Sequence, residues 1–189
     1  MEDVEGIFRE SGAVLDGHFL LTSGLHSPQY WEKFRILEKP WLTERLCHLI
    51  AEHFRDRGVE TVAGPTVGGM VLAFEVGRQL GVRSIYAERE GAGRTFRRGF
   101  VLRPGERVLV VDDILTTGGS LRDVMIAVEK VGGSVVGAGV LVDRSRGHVD
   151  LGVPFFSCLA VSVPTYPPEA CPLCRAGLPL VRLGSGGLS

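Results

Sequence analysis

The 189-residue chain has no apolar run approaching membrane-spanning length, and its formal net charge is only −1. The first absence argues against a transmembrane segment. The second leaves no global attraction for nucleic acid or anionic lipid, so any anion binding must come from local clusters. Cysteine is scarce as well: the four residues, at 47, 158, 171 and 174, are too few and too unevenly spaced for a disulfide framework. Cys171 and Cys174 form a lone C-x-x-C, half of a zinc site. The other half would have to come from Cys47, Cys158 or scattered histidines such as His148, and the pair reads as reduced bystander thiols. The opening Met-Glu-Asp-Val-Glu lacks the basic-then-apolar pattern of a secretory leader, so a cytoplasmic location is expected. No Ser-His-Asp or Cys-His arrangement argues for a covalent nucleophile. Neither an internal repeat nor a low-complexity linker precedes the final Gly-Ser-Gly-Gly.

What is present is ordinary for one globular domain, with 44% hydrophobic and 23% charged residues. Leu42, Leu46, Leu49, Ile50 and Phe54 fall close to helical spacing and predict a helix over 41–57, ended by Gly58. Val59 to Gly64 reads as a strand, Val67 to Leu80 as an amphipathic helix stopped by Gly81, and Arg83 to Ala87 as a short strand. Gly91 to Arg98 is polar, basic and glycine-containing and reads as a loop, with an extended pattern resuming over Gly99 to Leu102. Further on come a strand over Val108–Val111, a helix over about Ser120 to Val131, strands near Val135–Val142 and Phe155–Ala160, and a Pro-rich tail. Strands alternating with helices imply an α/β fold, a parallel sheet with helices on both faces.

The most informative segment is Val108-Leu-Val-Val-Asp-Asp-Ile-Leu-Thr-Thr-Gly-Gly-Ser120. An apolar β-branched run of this kind belongs to a strand buried on both faces. Asp112 and Asp113 follow at its carboxyl end, where open α/β sheets bind ligands. Thr116-Thr117-Gly118-Gly119-Ser120 then offers hydroxyls and backbone N–H groups at the start of a helix, whose positive dipole end favours a phosphate. Carboxylates for sugar hydroxyls and donors for a phosphate therefore sit together. This run resembles the phosphoribosyl diphosphate (PRPP) signature of the type I phosphoribosyltransferases. The resemblance implies that Asp112 and Asp113 hold the ribose hydroxyls and Thr116 to Ser120 the 5-phosphate, with Ile114 and Leu115 also among the PRPP-binding residues.

The resemblance extends to other segments. Gly64-Pro-Thr-Val-Gly-Gly69 is by itself a strand-to-helix turn, but beside the signature it looks like the family's pyrophosphate loop, with Thr66, Val67 and Gly68 against the diphosphate. Glu88-Arg89-Glu-Gly-Ala-Gly-Arg94-Thr-Phe-Arg97-Arg98 carries four arginines in eleven residues, either solvated surface charge or, in this context, a mobile lid that brings cations to a leaving pyrophosphate. Arg89, then Arg94, are the catalytic candidates there. The family's lid often closes over the neighbouring subunit, so a homodimer is implied. Gly17 to Lys33 resembles the N-terminal hood of orotate phosphoribosyltransferases, in which Tyr30 and Trp31 pack near the base. Arg144, ending the Leu141-Val-Asp-Arg run, matches the residue that holds the orotate carboxylate, a task suited to a guanidinium fork, and the family sets Thr116 beside the base as well.

The boundaries implied are a hood over 1–40, a core over 41–165 and a C-terminal extension over 166–189, within one structural domain. The implied reaction joins orotate to PRPP with Mg²⁺ held mainly by the substrate and with no metal ligand from the protein. A purine phosphoribosyltransferase, or a PRPP-sensing regulator without turnover, are the alternatives. The chain departs from many family members in having Thr22 and Thr66 or Val67 where lysines stand, and arginines where the lid carries lysine and histidine.

Overall fold

The computed structural model describes residues 3–21 and 23–183, so Thr22 and the final Gly-Ser-Gly-Gly lie outside the described residues. In chain order the elements are α1 (Val4–Glu10), β1 (Val14–Leu20), β2 (His26–Trp31), α2 (Phe34–Leu37), α3 (Pro40–Phe54), β3 (Thr61–Pro65), α4 (Gly68–Leu80), β4 (Arg83–Glu90), β5 (Gly93–Phe96), β6 (Arg107–Leu115), α5 (Gly119–Lys130), β7 (Ser134–Asp143), β8 (Phe155–Ala160) and α6 (Pro172–Arg175). They fall into two compact units, one made of residues 1–36 and 162–189, the other of 37–161. The C-terminal extension thus belongs to the same unit as the hood instead of following the core as a third segment.

In the larger unit, six strands form one sheet in the order β5-β4-β3-β6-β7-β8. All neighbours are parallel except the edge pair β4 and β5. Val108 to Val111 are fully buried because helices cover both faces. On one face α5 packs with Leu121, Val124, Met125 and Val128 against Ala63, Val108, Val110 and Val140. On the other, Phe54 and Ile50 of α3 press so closely on β7 that a Cβ at Gly137 or Gly139 would overlap them. Glycine inside a strand here marks close approach of a helix, not a turn. The spacing of Leu46, Ile50 and Phe54 turns one side of α3 inward, and Pro40 at its first turn and Gly58, with φ 63°, bracket the helical segment. Burying each such side chain stabilises the unit by about 1.5–3 kcal/mol.

Three local expectations change. The basic segment is a paired hairpin and not a loop: Ala87 to Glu90 lies opposite Phe96 to Gly93. Gly91, with φ 57°, permits the tight turn, and Thr95 and Phe96 favour the extended partner strand. Gly99 to Leu102 forms no strand, its Phe100 instead meeting Tyr86 edge-on at 5.2 Å. β6 runs on past Val111 to Leu115, because its pairing with β7 continues to Leu115 opposite Asp143.

The smaller unit is built on the β1–β2 hairpin and α1, with Phe8 against Trp31 at 5.4 Å between ring centroids. Backbone bonds add the extension to this hairpin: Leu20 N–H donates to the Val181 carbonyl (2.9 Å), Val181 N–H to that of His18 (2.8 Å), and His26 and Tyr166 exchange both bonds (2.8 and 2.9 Å).

Candidate active site

The sheet reverses its winding between β3 and β6. The connection from β3 leads outward to β4, and that from β6 leads the other way to β7 and β8. A crevice opens at the carboxyl ends of two such strands. Pairing between β3 and β6 stops at Ala63 opposite Val110, while pairing between β6 and β7 persists to Leu115. Asp112 and Asp113 therefore stand just where β6 has lost one neighbour and kept the other.

Both acids are buried, 7% and 4% exposed. Successive strand residues point to opposite faces. Asp113 lies on the side of the Gly64–Gly69 turn, and a Cβ on Gly68 would collide with its Oδ2. Asp112 takes the Asp113 backbone N–H on Oδ1 at 2.8 Å. The turn is glycine-built for a steric reason. A Cβ on Gly64 would strike the Gly69 carbonyl, and one on Gly69 would strike the Pro65 ring and come within 3.0 Å of the Val111 carbonyl. The Thr66–Val67 peptide is cis, and Val67 is exposed.

Beyond β6, Thr116, Thr117, Gly119 and Ser120 are exposed. Gly118 adopts φ 81°, ψ 0° and precedes α5 with no side chain capping the helix. The N–H groups of the first turn thus keep their positive end open to an anion. Arg122, a residue the sequence reading passed over, fastens this loop by donating to the carbonyls of Thr117 and Asp150, each at 2.9 Å. A side chain on Gly118 would come within 3.0 Å of Arg122 and of Val149.

The hairpin arginines separate into two kinds. Arg94 is half-buried and its guanidinium donates to Thr66 Oγ1 (3.3 Å) and to the Ala87 carbonyl (3.1 Å), which carries it onto the glycine turn. Burial pulls its pKa down, and the Asp112 carboxylate opposes that pull. The guanidinium stays charged throughout. Arg89 lies directly opposite Arg94 in the register, hence on the same face of the hairpin. Arg97 and Arg98 are instead engaged with the hairpin's own acids, Glu90 at 3.1 Å and Glu88 at 2.9 Å.

A phosphoribosyl transferase domain model matches residues 35–162. Orotate phosphoribosyltransferase of Desulforamulus reducens is 51% identical over 184 residues, covering 97% of this chain and 96% of that protein. The enzyme of the same name from Pelotomaculum thermopropionicum is 52% identical with 97% of each covered. The chain belongs to the orotate phosphoribosyltransferase family. Among solved structures, orotate phosphoribosyltransferase from Aeropyrum pernix superposes with a TM-score of 0.71 at 29% identity, covering 84% of this chain and 93% of that one.

The residues matched to the base pocket of orotate phosphoribosyltransferases divide between the two units. Arg144 is half-buried at the end of β7, and its backbone N–H donates to the Leu115 carbonyl at 2.8 Å. That bond sets Arg144 beside the strand end that leads into Thr116. Tyr30 and Trp31 lie in β2 of the hood unit. There Tyr30 meets Phe19 at 5.8 Å, and Trp31 is 8% exposed with its indole Nε1 lacking a hydrogen-bond partner. Among the described residues no helix is long and apolar enough to cross a membrane.

Proposed function

We propose that the protein transfers the 5-phosphoribosyl group of PRPP to orotate, giving orotidine 5′-phosphate and pyrophosphate. One observation carries the reading: a buried acid pair lies between two backbone loops at a single strand end, and glycine at position 68 keeps the chain clear of Asp113.

Displacement of pyrophosphate from the anomeric carbon builds positive charge on the ribose and negative charge on the leaving group, so catalysis is positioning and electrostatics. Asp112 and Asp113 accept the ribose hydroxyls and place negative potential beside the cationic ring. The N–H groups and hydroxyls of Thr116 to Ser120, at the uncapped start of α5, hold the 5-phosphate. The Thr66–Gly68 amides and Arg94, with Arg89 on the same hairpin face, stabilise the departing diphosphate. Arginine serves here through charge, because a group with pKa above 12 does not give up a proton. Arg144 orients the orotate carboxylate, and Thr116 lies beside the base.

A donor set of two buried carboxylates beside a phosphate-binding turn suits Mg²⁺, which binds through one or two carboxylates plus substrate phosphates and keeps several waters. When bound, the ion neutralises diphosphate charge. It would be held mainly by the substrate diphosphate, with Asp112 and Asp113 as the carboxylates available to it. The homodimer that the family resemblance implies belongs to the same reading, as does a cytoplasmic location.

Loss of orotate absorbance in the presence of Mg²⁺ and PRPP tests it, with adenine and hypoxanthine as competing acceptors. Orotate should be consumed and the purines left untouched. Arg144→Ala should raise the orotate KM by about 10–100-fold, the loss of a charge-assisted bidentate pair, with a smaller change in kcat. Consumption of a purine, or an orotate KM unmoved by Arg144→Ala, overturns the base assignment. PRPP bound without turnover of any acceptor would mark a regulator.

A further inference from the structure

The hood unit brings together residues that the transfer reaction does not use. His18 of β1 and His26 of β2 face each other across the hairpin, with His18 Nε2 and His26 Nδ1 2.9 Å apart. Cys171 Sγ lies 3.6 Å from His18 Nε2, and Cys174 Sγ lies 3.7 Å from His18 Nε2 and 3.3 Å from His26 Nδ1. All four ligand atoms fall within 4.8 Å of one another. His18, His26 and Cys171 are 2%, 4% and 1% exposed, and Cys174 closes the cluster from the surface.

We propose that His18, His26, Cys171 and Cys174 form a structural Zn²⁺ site that ties the C-terminal extension to the hood hairpin. A tetrahedral ion with Zn–N of about 2.0–2.1 Å and Zn–S of about 2.3 Å sets its ligand atoms about 3.3 Å apart for two nitrogens and about 3.6 Å for nitrogen and sulfur. The four separations of 2.9, 3.6, 3.7 and 3.3 Å lie within about 0.4 Å of these values. The protonation pattern agrees. His18 Nδ1 sits 2.8 Å from the Leu178 carbonyl, which can only accept, so this nitrogen carries the proton and Nε2 presents its lone pair to the cluster. A carbonyl on the far nitrogen of a ligating histidine is the usual orienting partner in zinc sites. Leu178 belongs to the extension, so this contact joins the same two segments that the ion would join.

A bland alternative is a buried histidine pair sharing one hydrogen bond. It accounts for the short nitrogen separation but not for two sulfurs converging on the same nitrogens. The other two cysteines stand elsewhere, Cys47 in α3 and Cys158 in β8, so the second half of the C-x-x-C site comes from histidines, His18 and His26. Four protein ligands leave no open position, which makes the site structural and not catalytic. Binding converts two thiols to thiolates and releases their two protons to solvent, so occupancy should fall as pH drops.

The test uses the full chain, purified with a reductant and without chelator, and reads metal content by mass spectrometry. About one zinc per chain is expected. Chelator-stripped protein titrated with Co²⁺ should develop the intense visible bands of a tetrahedral site together with thiolate charge-transfer absorption, both lost on adding Zn²⁺. Cys174→Ser, at the exposed ligand, should weaken Co²⁺ binding by more than about 100-fold, beyond the range seen when only an orienting partner of a ligand is lost. Limited proteolysis should cut the stripped extension faster than the zinc-loaded one. Absence of zinc together with a pale, octahedral Co²⁺ spectrum on the wild-type chain overturns the proposal, whatever the variant's folding. So does a Cys171–Cys174 disulfide in freshly prepared protein. Neither readout depends on the transfer reaction.

Discussion

Glu106 immediately precedes β6, and Asp112 and Asp113 stand toward its other end; all three carboxylates are buried, at 2%, 7% and 4% exposed. Side chains and one backbone donor of the same unit surround Glu106. The Thr61 hydroxyl donates to one oxygen, the Arg103 N–H (2.8 Å) and Nε (3.3 Å) donate to the other, and Arg83 stands 3.5 Å away. Burial pushes the Glu106 pKa up, and these donors outweigh it and hold the carboxyl below the ordinary glutamate range. At the far end the chain withdraws instead of closing in. Gly68 leaves the side of Asp113 clear, the 116–120 loop keeps exposed hydroxyls, and Arg94 reaches the neighbouring turn without filling it. One strand thus starts beside a carboxylate whose donors are fixed by folding and carries a pair whose surroundings are shaped for a ligand.

The sharpest way to break that contrast is Asp113→Asn. It keeps size and removes charge where positive charge develops on the ribose. Turnover of orotate should fall by about 10²–10³-fold, the scale of removing one preorganised electrostatic group. The melting temperature should fall far less than the activity, because asparagine keeps the size of the side chain and an oxygen acceptor. A melting temperature that collapses with activity would put Asp113 in the same class as Glu106.

How much of this the sequence discloses follows from the range of each signal. The β6 run, the helix over α3 and the glycine stop at 81 rest on local periodicity and local backbone freedom, and they stand within a few residues of expectation. The hairpin was hidden because arginine and glycine count as loop residues, while cross-strand pairing of Arg89 with Arg94 is a tertiary fact. That pairing also bears on the arginines: the family resemblance puts Arg89 first and Arg94 second, and in the structure it is Arg94 that reaches Thr66. Arg122 escapes for a like reason, its acceptors lying 5 and 28 residues away. The His18–Cys171 proximity spans 153 residues and has no periodic trace at all.

A second change moves stability at the opposite end. Glu106→Ala strips the Thr61 hydroxyl and the Arg103 N–H of their acceptor and should destabilise the fold by about 2–3 kcal/mol. For a chain of this size that lowers the melting temperature by about 5–10 °C. The kcat of the folded fraction should stay at the wild-type value. The pH dependence has a definite sign. With the folded pKa below the unfolded one, the unfolded chain takes up the proton first as pH falls. Glu106 therefore contributes fully above about pH 4.3, the ordinary glutamate value, and its contribution is lost as pH falls through the folded value. Wild-type stability should drop more steeply than that of Glu106→Gln below that pH; parallel curves would remove Glu106 from the account.

The smallest effect belongs to Arg98, and its smallness is informative. Its guanidinium is two-thirds exposed and pairs with Glu88 at 2.9 Å, and that pairing lowers the Glu88 pKa and raises its own. Exposed pairs of this kind add little to stability, since water and salt screen them and the side chains lose entropy in meeting. Arg98→Ala should leave the melting temperature within error and alter the PRPP KM by less than about twofold, a change well under 1 kcal/mol in binding. Arg94→Ala, on the same hairpin but aimed at Thr66, should weaken PRPP binding by tenfold or more, about 1.4 kcal/mol. Equal responses from the two arginines would mean that the hairpin acts by charge density alone, and the distinction drawn between its inward and outward cations would fail.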